Sequence, residues 1–485
     1  MANTKISALT AGAPAQNSDM LPARRGSGNV SLLVGDIANL TDPAANHRIQ
    51  TTASAGIADN IIHGHSTNAV ASDVSGAMIA GGGQTGYNNI IGGDGSVTVN
   101  TPTANTASTG TNANYSAIIG GYDNVAGGLA TMLGGFHNYT GVGTTHCTIL
   151  GGSAIKITAG DYNTIVGGTL NTIQGGTDNC TIGGGRLNVI NIAGGQDNGT
   201  IAGGQSNSVA ARHATVGGGI SNTADGVAGT VGGGQLNFAS GLNSTVAGGD
   251  SNTAGGTSSA VAGGSSINLS STAARSDYAG SVGGLSNTLG TTAPARFSGL
   301  LAGRLNTIQA DYAAVLGGRE CTIPSNGEAA VASGYGAKVH TAGQQAHSGG
   351  YFVAAGDAQT SVIVARRQTT DATPTELRVN STLGSRILFP MDSTWLFIIL
   401  VVARRTDADD ESAGYRLEGV MDRNTAGSPL LVGTVTKTIL AEDSAAWDVN
   451  VVADATNGAL QILVTGESAK TINWVARLTL VEVTG

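Results

Sequence analysis

The sequence predicts an all-β chain. A repetitive β-helix or β-roll solenoid forms a shaft, a C-terminal antiparallel β-sandwich of jelly-roll type follows it, and three chains associate as a trimer. Three observations predict this. A short phrase (an apolar residue, a Gly pair, two or three variable residues, then Asn) recurs along the middle of the chain, as in Val231-Gly-Gly-Gly-Gln-Leu-Asn237, Val246-Ala-Gly-Gly-Asp-Ser-Asn252 and Val261-Ala-Gly-Gly-Ser-Ser-Ile-Asn268. The 485 residues include 76 Gly, with only 4% aromatic and 11% charged residues, a balance far from that of an ordinary globular enzyme. All three Trp (Trp395, Trp447 and Trp474) fall in the last quarter of the chain, where apolar residues alternate strictly.

The repeat sets the architecture of residues 116–340. Asn207, Asn222, Asn237 and Asn252 are spaced by 15 residues, and the steps to Asn268, Asn287 and Asn306 are 16, 19 and 19. So short a period, so rich in Gly, excludes helical hairpin repeats and leaves stacked β-coils. Each coil offers two strand-like triplets, such as Ser244-Thr-Val246 and Asn252-Thr-Ala254. Alternation sends Val216, Val231, Val246, Val261, Ala239 and Ala254 inward. Gly and Asn tolerate the positive φ that tight corners need. Asn at one position in successive coils is expected to form a ladder, each side chain bonding the next coil. Between Asn171 and Asn207 the Asn steps shorten through Asn179, Asn188 and Asn198, which reads as a tighter coil or a changed cross-section. A thin interior of Val and Ala buries little per coil, so lateral association of identical chains is expected, with three-fold symmetry the natural arrangement for a fibre.

The flanks differ. Residues 1–45 read as an irregular segment with one strand, and residues 46–115 as an irregular β transition with partial copies such as Ile90-Ile-Gly-Gly-Asp-Gly95. Residues 341–371 read as a neck. In 372–485, alternation runs through Tyr415, Leu417 and Met421, through Trp447, Val449 and Val451, through Leu460, Ile462 and Val464, and through Ile472, Trp474, Ala476, Leu478 and Leu480. Strands at this spacing, separated by turns such as Asp454-Ala-Thr-Asn-Gly458, make a sandwich.

Net charge of −9 and the absence of any basic run longer than Arg-Arg argue against nucleic-acid binding. Cys147, Cys180 and Cys321 are scattered, with no disulfide or zinc spacing. The N-terminus shows no apolar export segment, and the longest apolar run, Trp395 to Ala403, is too short to span a bilayer.

Two ends and the middle carry a resemblance. The opening Ile6-Ser-Ala-Leu9, Ser18-Asp-Met-Leu-Pro22 and Val34-Gly-Asp-Ile37 resembles the virion-proximal start of bacteriophage tail fibres. The Gly-Gly-x-x-Asn coils are similar to phage fibre shafts and to the β-roll heads of trimeric bacterial adhesins. Gly356-Asp-Ala-Gln-Thr-Ser361, Thr369 to Leu377, Val401 to Asp407 and Glu442 to Val449 resemble a C-terminal module of phage tail proteins. The resemblance implies a homotrimer whose residues 1–45 dock on the phage tail or baseplate and whose far end meets a host surface glycan or protein. It implies assembly in the host cytoplasm.

The expected function is therefore a non-enzymatic structural fibre that mediates host attachment, without a cofactor. The alternatives are a tailspike depolymerase, a cell-surface adhesin and a purely structural virion part. Glycoside hydrolysis needs two facing carboxylates, and Asp197, Asp250 and Glu320 are coil-face candidates. His63 and His65 alternate onto one side of a strand, where three chains would offer imidazoles to one axial metal. Asp407 and Asp409, in the acidic run Asp407 to Glu411, and Tyr415 are the receptor-contact candidates of the C-terminal domain. A solvated turn and a packed strand are the competing readings for these.

Overall fold

The computed structural model describes strands at 47–50, 60–63, 69–70, 78–80, 88–91 and 104–108. From residue 117 on it describes all positions except 120, 122, 128, 142, 194–196, 271–275, 381–385, 409–410 and 426. The described residues hold strands and turns but no helix.

The middle of the chain is a parallel β-solenoid. Each coil gives two short strands, such as Thr245–Val246 and Thr253–Ala254, and each pairs in parallel with its counterparts one coil before and after. A third column of single bridges, Gln205↔Ile220↔Gln235↔Asp250↔Ser265, closes the cross-section. The ladders reach back before the regular repeat: Asn60–His63 pairs with Met78–Ala80, and Asn88–Ile91 with Ala104–Ser108. The inward residues are as the alternation predicts, with Val216, Val231, Val246, Ala239 and Ala254 fully buried.

Two corners of the described coils use left-handed backbone. Ser206, Ser221, Leu236 and Ser251 form one such column, and Asn179, Asn198, His213, Ala228 and Asn243 the other, with φ between 45° and 58°. A non-Gly residue there costs roughly 1 kcal/mol. The turn aims each corner N–H back at the preceding coil, where it is satisfied: Ser251 N donates to Gln235 O at 2.9 Å and Asn243 N to Val227 O at 2.9 Å. Strand N–H groups point the other way, as when Thr245 N donates to Ser259 O. The apparent shortening of the repeat between Asn171 and Asn207 is resolved by these corners. Asn179 and Asn198 occupy the second left-handed column, while Asn171, Asn188 and Asn207 occupy the ladder, so the coil is not tighter there.

One glycine column sets how closely the corners stack. A Cβ on Gly234, at φ +88°, would stand 2.2 Å from Gly249 O and 2.6 Å from the Asn237 amide nitrogen, so no side chain fits.

Residues 341–371, expected as a neck, hold paired strands. Gln345–Gly349 runs parallel to Val331–Tyr335 and antiparallel to the start of Ala358–Thr369. From there a sheet continues through Ile472–Thr484, Ser393–Arg405, Ser412–Arg423 and Leu430–Glu442, all antiparallel. A smaller sheet joins Thr375–Glu376 and Ile387–Leu388 to Ala459–Thr465, which pairs with Asp448–Asp454. Between the sheets lies a second core, built on Trp395, Trp447, Trp474, Tyr415, Phe389 and Phe397.

Candidate functional site

The Asn ladder is structural in its geometry. Asn237 donates from Nδ2 to Gly233 O at 2.8 Å and to Gly249 O at 2.9 Å, and its Oδ1 accepts from Asn252 N at 3.1 Å. Asn207, Asn222 and Asn252 repeat this pattern. The links run from side chain to backbone rather than amide to amide. Asn306 also donates to Asn287 Oδ1 at 3.1 Å, side chain to side chain. Asn268 is not a rung. The ladder position of its coil is filled by the buried Ile267, whose N–H still donates to Asn252 Oδ1, and Asn268 points outward from the adjacent strand position. Ile155 and Cys321 stand in the same column. An apolar residue fits because the backbone N–H alone satisfies the Asn of the preceding coil.

The second corner column carries most of the exposed aromatics of the described solenoid, Phe136 in the bridge column being an exception. Tyr278, Phe297 and Tyr312 stack with centroids 5.0 and 5.3 Å apart and planes within 4°. Beside them Arg296 pairs with Asp311 at 2.6 Å. Near the end of the solenoid, Glu320 accepts from the Tyr351 hydroxyl at 2.5 Å and from Arg319 Nε at 2.9 Å. These bonds hold its carboxyl below the ordinary value and push the Tyr351 phenol up.

At the joint between solenoid and sandwich sits a buried polar cluster. His340 Nε2 lies 3.7 Å from Glu482 Oε2, and the Gln359 amide donates to Glu482 at 3.1 Å. Gln344 receives the N–H groups of His340 and Thr341 and donates to Ser361 Oγ. Burial pushes Glu482 up to about 7 and, with nearby Lys338, pulls His340 down to about 4. In mildly acid solution the pair is a neutral acid beside a neutral imidazole.

The outer face of the larger sandwich sheet carries exposed apolar side chains towards both ends, with Arg477, Arg416 and Glu418 between them. Cross-strand register lines up Val481, Leu396 and Val420, and, six residues along the strand, Val475 with Val402. Leu396, Leu400, Val402, Val475, Val481 and Val483 are 41–57% exposed.

Several expected site residues are placed differently. Tyr415 is not a receptor contact: it faces the core, fully buried, and its hydroxyl donates to Glu442 at 3.1 Å, so its side chain reaches no solvent. Asp407 is held by Arg405 at 2.8 Å. Asp197 is buried in the solenoid and Glu320 is engaged by Tyr351, so neither is an open coil-face carboxylate. His63 lies in the strand Asn60–His63. His65, Asp409 and residues 1–45 lie outside the described residues. Among the described residues no group of three or more His, Cys, Asp or Glu converges on one point. No helix there is long and apolar enough to cross a membrane.

No family model matches the chain, and no curated protein matches it. Among solved structures it is similar to the tailspike protein gp49 of Acinetobacter baumannii bacteriophage Fri1, a capsular polysaccharide depolymerase. The two share 8% identity over 86% of this chain and 87% of that one, with a TM-score of 0.23. It is also similar to the Acinetobacter baumannii phage AM24 tailspike (10% identity, 87% and 77% covered, TM-score 0.19) and to the Acinetobacter phage vB_ApiP_P1 tailspike (8%, 88% and 81%, TM-score 0.18). The expectation that the chain is not an enzyme is corrected on this finding, because the Fri1 neighbour is itself a depolymerase. The superposition is too loose to assign that reaction to this chain.

Proposed function

We propose that this chain is a bacteriophage tail fibre or spike protein that attaches the virion to polysaccharide on the host cell surface. It works as a homotrimer and is held to the tail or baseplate through residues 1–45. The observation that carries this reading is the unbroken hydrogen-bonded path from the solenoid through Gln345–Gly349 into the sandwich sheet. A rod continuous with its terminal domain can hold that domain away from a particle and press it on a surface. The resemblance of both ends of the sequence to phage tail proteins supports the same reading. The exposed apolar end of the sheet's outer face around Leu396, Val481 and Val483, away from the Val402–Val475 end, supports the trimer, since a second and third copy would cover it. Three copies on each fibre, and several fibres on each particle, turn weak sugar contacts into firm attachment by effective concentration.

The test is in two parts. Light scattering of the purified protein should give three times the 47.9 kDa chain mass, and Leu396→Glu with Val481→Glu should reduce it to one. The protein should also adsorb to encapsulated bacteria of a susceptible strain and not to a capsule-deficient mutant. Equal adsorption to both would overturn attachment through polysaccharide. Reducing ends released during the incubation would place the chain among cleaving spikes.

A further inference from the structure

The sandwich carries a cleft of about 420 Å³ lined by Arg366, Arg367, Gln368, Asn473, Trp474 and Val475. We propose that it binds the carboxylate of an acidic sugar. The volume lies within the range of small-molecule sites. Its chemistry is set by charge left over.

Most basic side chains elsewhere in the sandwich are engaged, the exposed Arg477 being an exception. Arg378 and Arg386 reach Glu376, Arg405 reaches Asp407 and Glu411, and Arg416 pairs with Glu418. Lys437 meets Asp448, Lys470 meets Glu411 and Glu467, and Arg423 donates to Phe389 O and Gly427 O. Arg366 and Arg367 are both exposed, and among the described residues neither guanidinium has a carboxylate within 4 Å. In a chain of net charge −9, two adjacent unpaired guanidinium groups opening on one cleft are a departure from the pattern.

The backbone explains how neighbours in sequence share a cleft. Ala358–Thr369 pairs with Gln345–His347 only through Thr360–Val362. Beyond that the strand is a sheet edge, bridged singly from Arg366 to Arg378. Side chains from both faces reach round such an edge.

Next to them Gln368 Nε2 donates to Asn473 Oδ1 at 2.9 Å. That bond leaves the Gln368 oxygen as an acceptor and the Asn473 amino group as a donor, both facing solvent. The cleft therefore offers two planar forks that match a carboxylate and one acceptor–donor pair that matches vicinal hydroxyls. A uronate ring presents these groups together, and a neutral hexose lacks the anion. The rest of the chain repels acidic polymers, but that repulsion is screened beyond about 8 Å at physiological salt, so the local pair of guanidiniums governs contact.

This inference deepens the attachment reading by naming the sugar class and rests on it for the biological source of the ligand. The binding itself is tested on the full-length protein by calorimetric titration with a glucuronate-containing oligosaccharide. A neutral hexose oligosaccharide of equal length and inorganic phosphate serve as controls. The expected result is binding of the uronate oligosaccharide only, weakened by added salt, and reduced roughly 10- to 100-fold by Arg366→Ala or Arg367→Ala. Both positions are exposed, so the melting temperature should not change. Arg367→Lys keeps the charge, loses the fork and should fall between. Equal affinity for the neutral oligosaccharide, unchanged affinity in both alanine variants, or stronger competition by phosphate than by free glucuronate would overturn the proposal. Adsorption of the same variants to bacteria separates the two readings. Adsorption without uronate binding sinks the cleft and leaves attachment standing; uronate binding without adsorption does the reverse.

Discussion

In the solenoid the buried apolar side chains are Ile, Val, Leu, Ala, Cys and one Met, whereas the sandwich encloses three Trp, a Tyr and two Phe. The two regions are nevertheless continuous through one sheet. The contrast shows two ways of fixing a backbone. The solenoid has little apolar area per residue, and it is held by hydrogen bonds repeated at every coil: strand to strand, corner to preceding coil, and Asn to backbone. The sandwich is held by packing of large rings, with Phe389 edge-on to Trp395 at 4.6 Å and Trp447 tilted on Trp474 at 5.8 Å. Loss of one solenoid contact is felt by its neighbouring coils; loss of one ring is felt by a whole core.

The sharpest test of that contrast is Trp474→Ala. Its ring touches Trp447 and Tyr415, and its Nε1 donates to Thr369 Oγ1 at 2.9 Å. Truncation should cost about 3–5 kcal/mol and, in a calorimetric scan, lower a sandwich transition while leaving the solenoid's in place. A single shared shift would show that the two regions unfold as one.

Next in size is Asn237→Ala, which strips two carbonyls and one N–H of a buried partner. About 2–3 kcal/mol is expected, seen as faster amide exchange confined to the adjacent coils. Exchange accelerated along the entire rod would contradict nearest-neighbour behaviour.

The joint should respond to pH. Glu482, raised to about 7, stabilises the fold below its unfolded value near 4.5, and this contribution is lost as pH rises to 7. His340, lowered to about 4, does the opposite: its contribution is lost as pH falls from 6.5 to 4. The two slopes oppose each other between 4.5 and 6.5, so the native joint should be nearly flat there. Glu482→Gln should uncover a rise with pH from 4 to 6.5, and His340→Asn a fall from 4.5 to 7, each by about 1.4 kcal/mol per pH unit at most. Identical melting profiles for the native protein and both variants would sink the account.

The smallest effect belongs to Asn268→Ala, within about 0.5 kcal/mol, because Asn268 lies outside the ladder that Ile267 occupies. A loss as large as that of Asn237→Ala would show that Asn268 is a rung after all.

Much of this was legible in the sequence. The period from Asn207 to Asn252 placed the coils, and alternation placed Val231, Val246 and Ala254 inside. Where the reading slipped, one residue type served two purposes. Asn suits both a ladder rung and a left-handed corner, so Asn179 and Asn198 passed for rungs and Asn268 for one displaced by a single residue. Tyr415 was visible as an alternating strand residue, but its parity alone did not say that its hydroxyl would find Glu442 inside the core. Arg366 and Arg367 stood in plain view as a basic pair. The cleft that both line, and the partners taken by most other basic residues of the sandwich, make them distinctive, and these are set by the sheet register rather than by any local motif.

The parallel ladders have a further consequence at their C-terminal end. A stack of β-coils ends in a row of unpaired N–H and C=O groups, a surface on which another stack could grow. Here the last rung, Gln345–Gly349, is already bonded on both sides, by Val331–Tyr335 and by the strand Ala358–Thr369. The sandwich thus acts as a terminator of polymerisation. A chain cut just before it would be expected to join end to end into filaments, and the joint is what keeps each rod to a finite length.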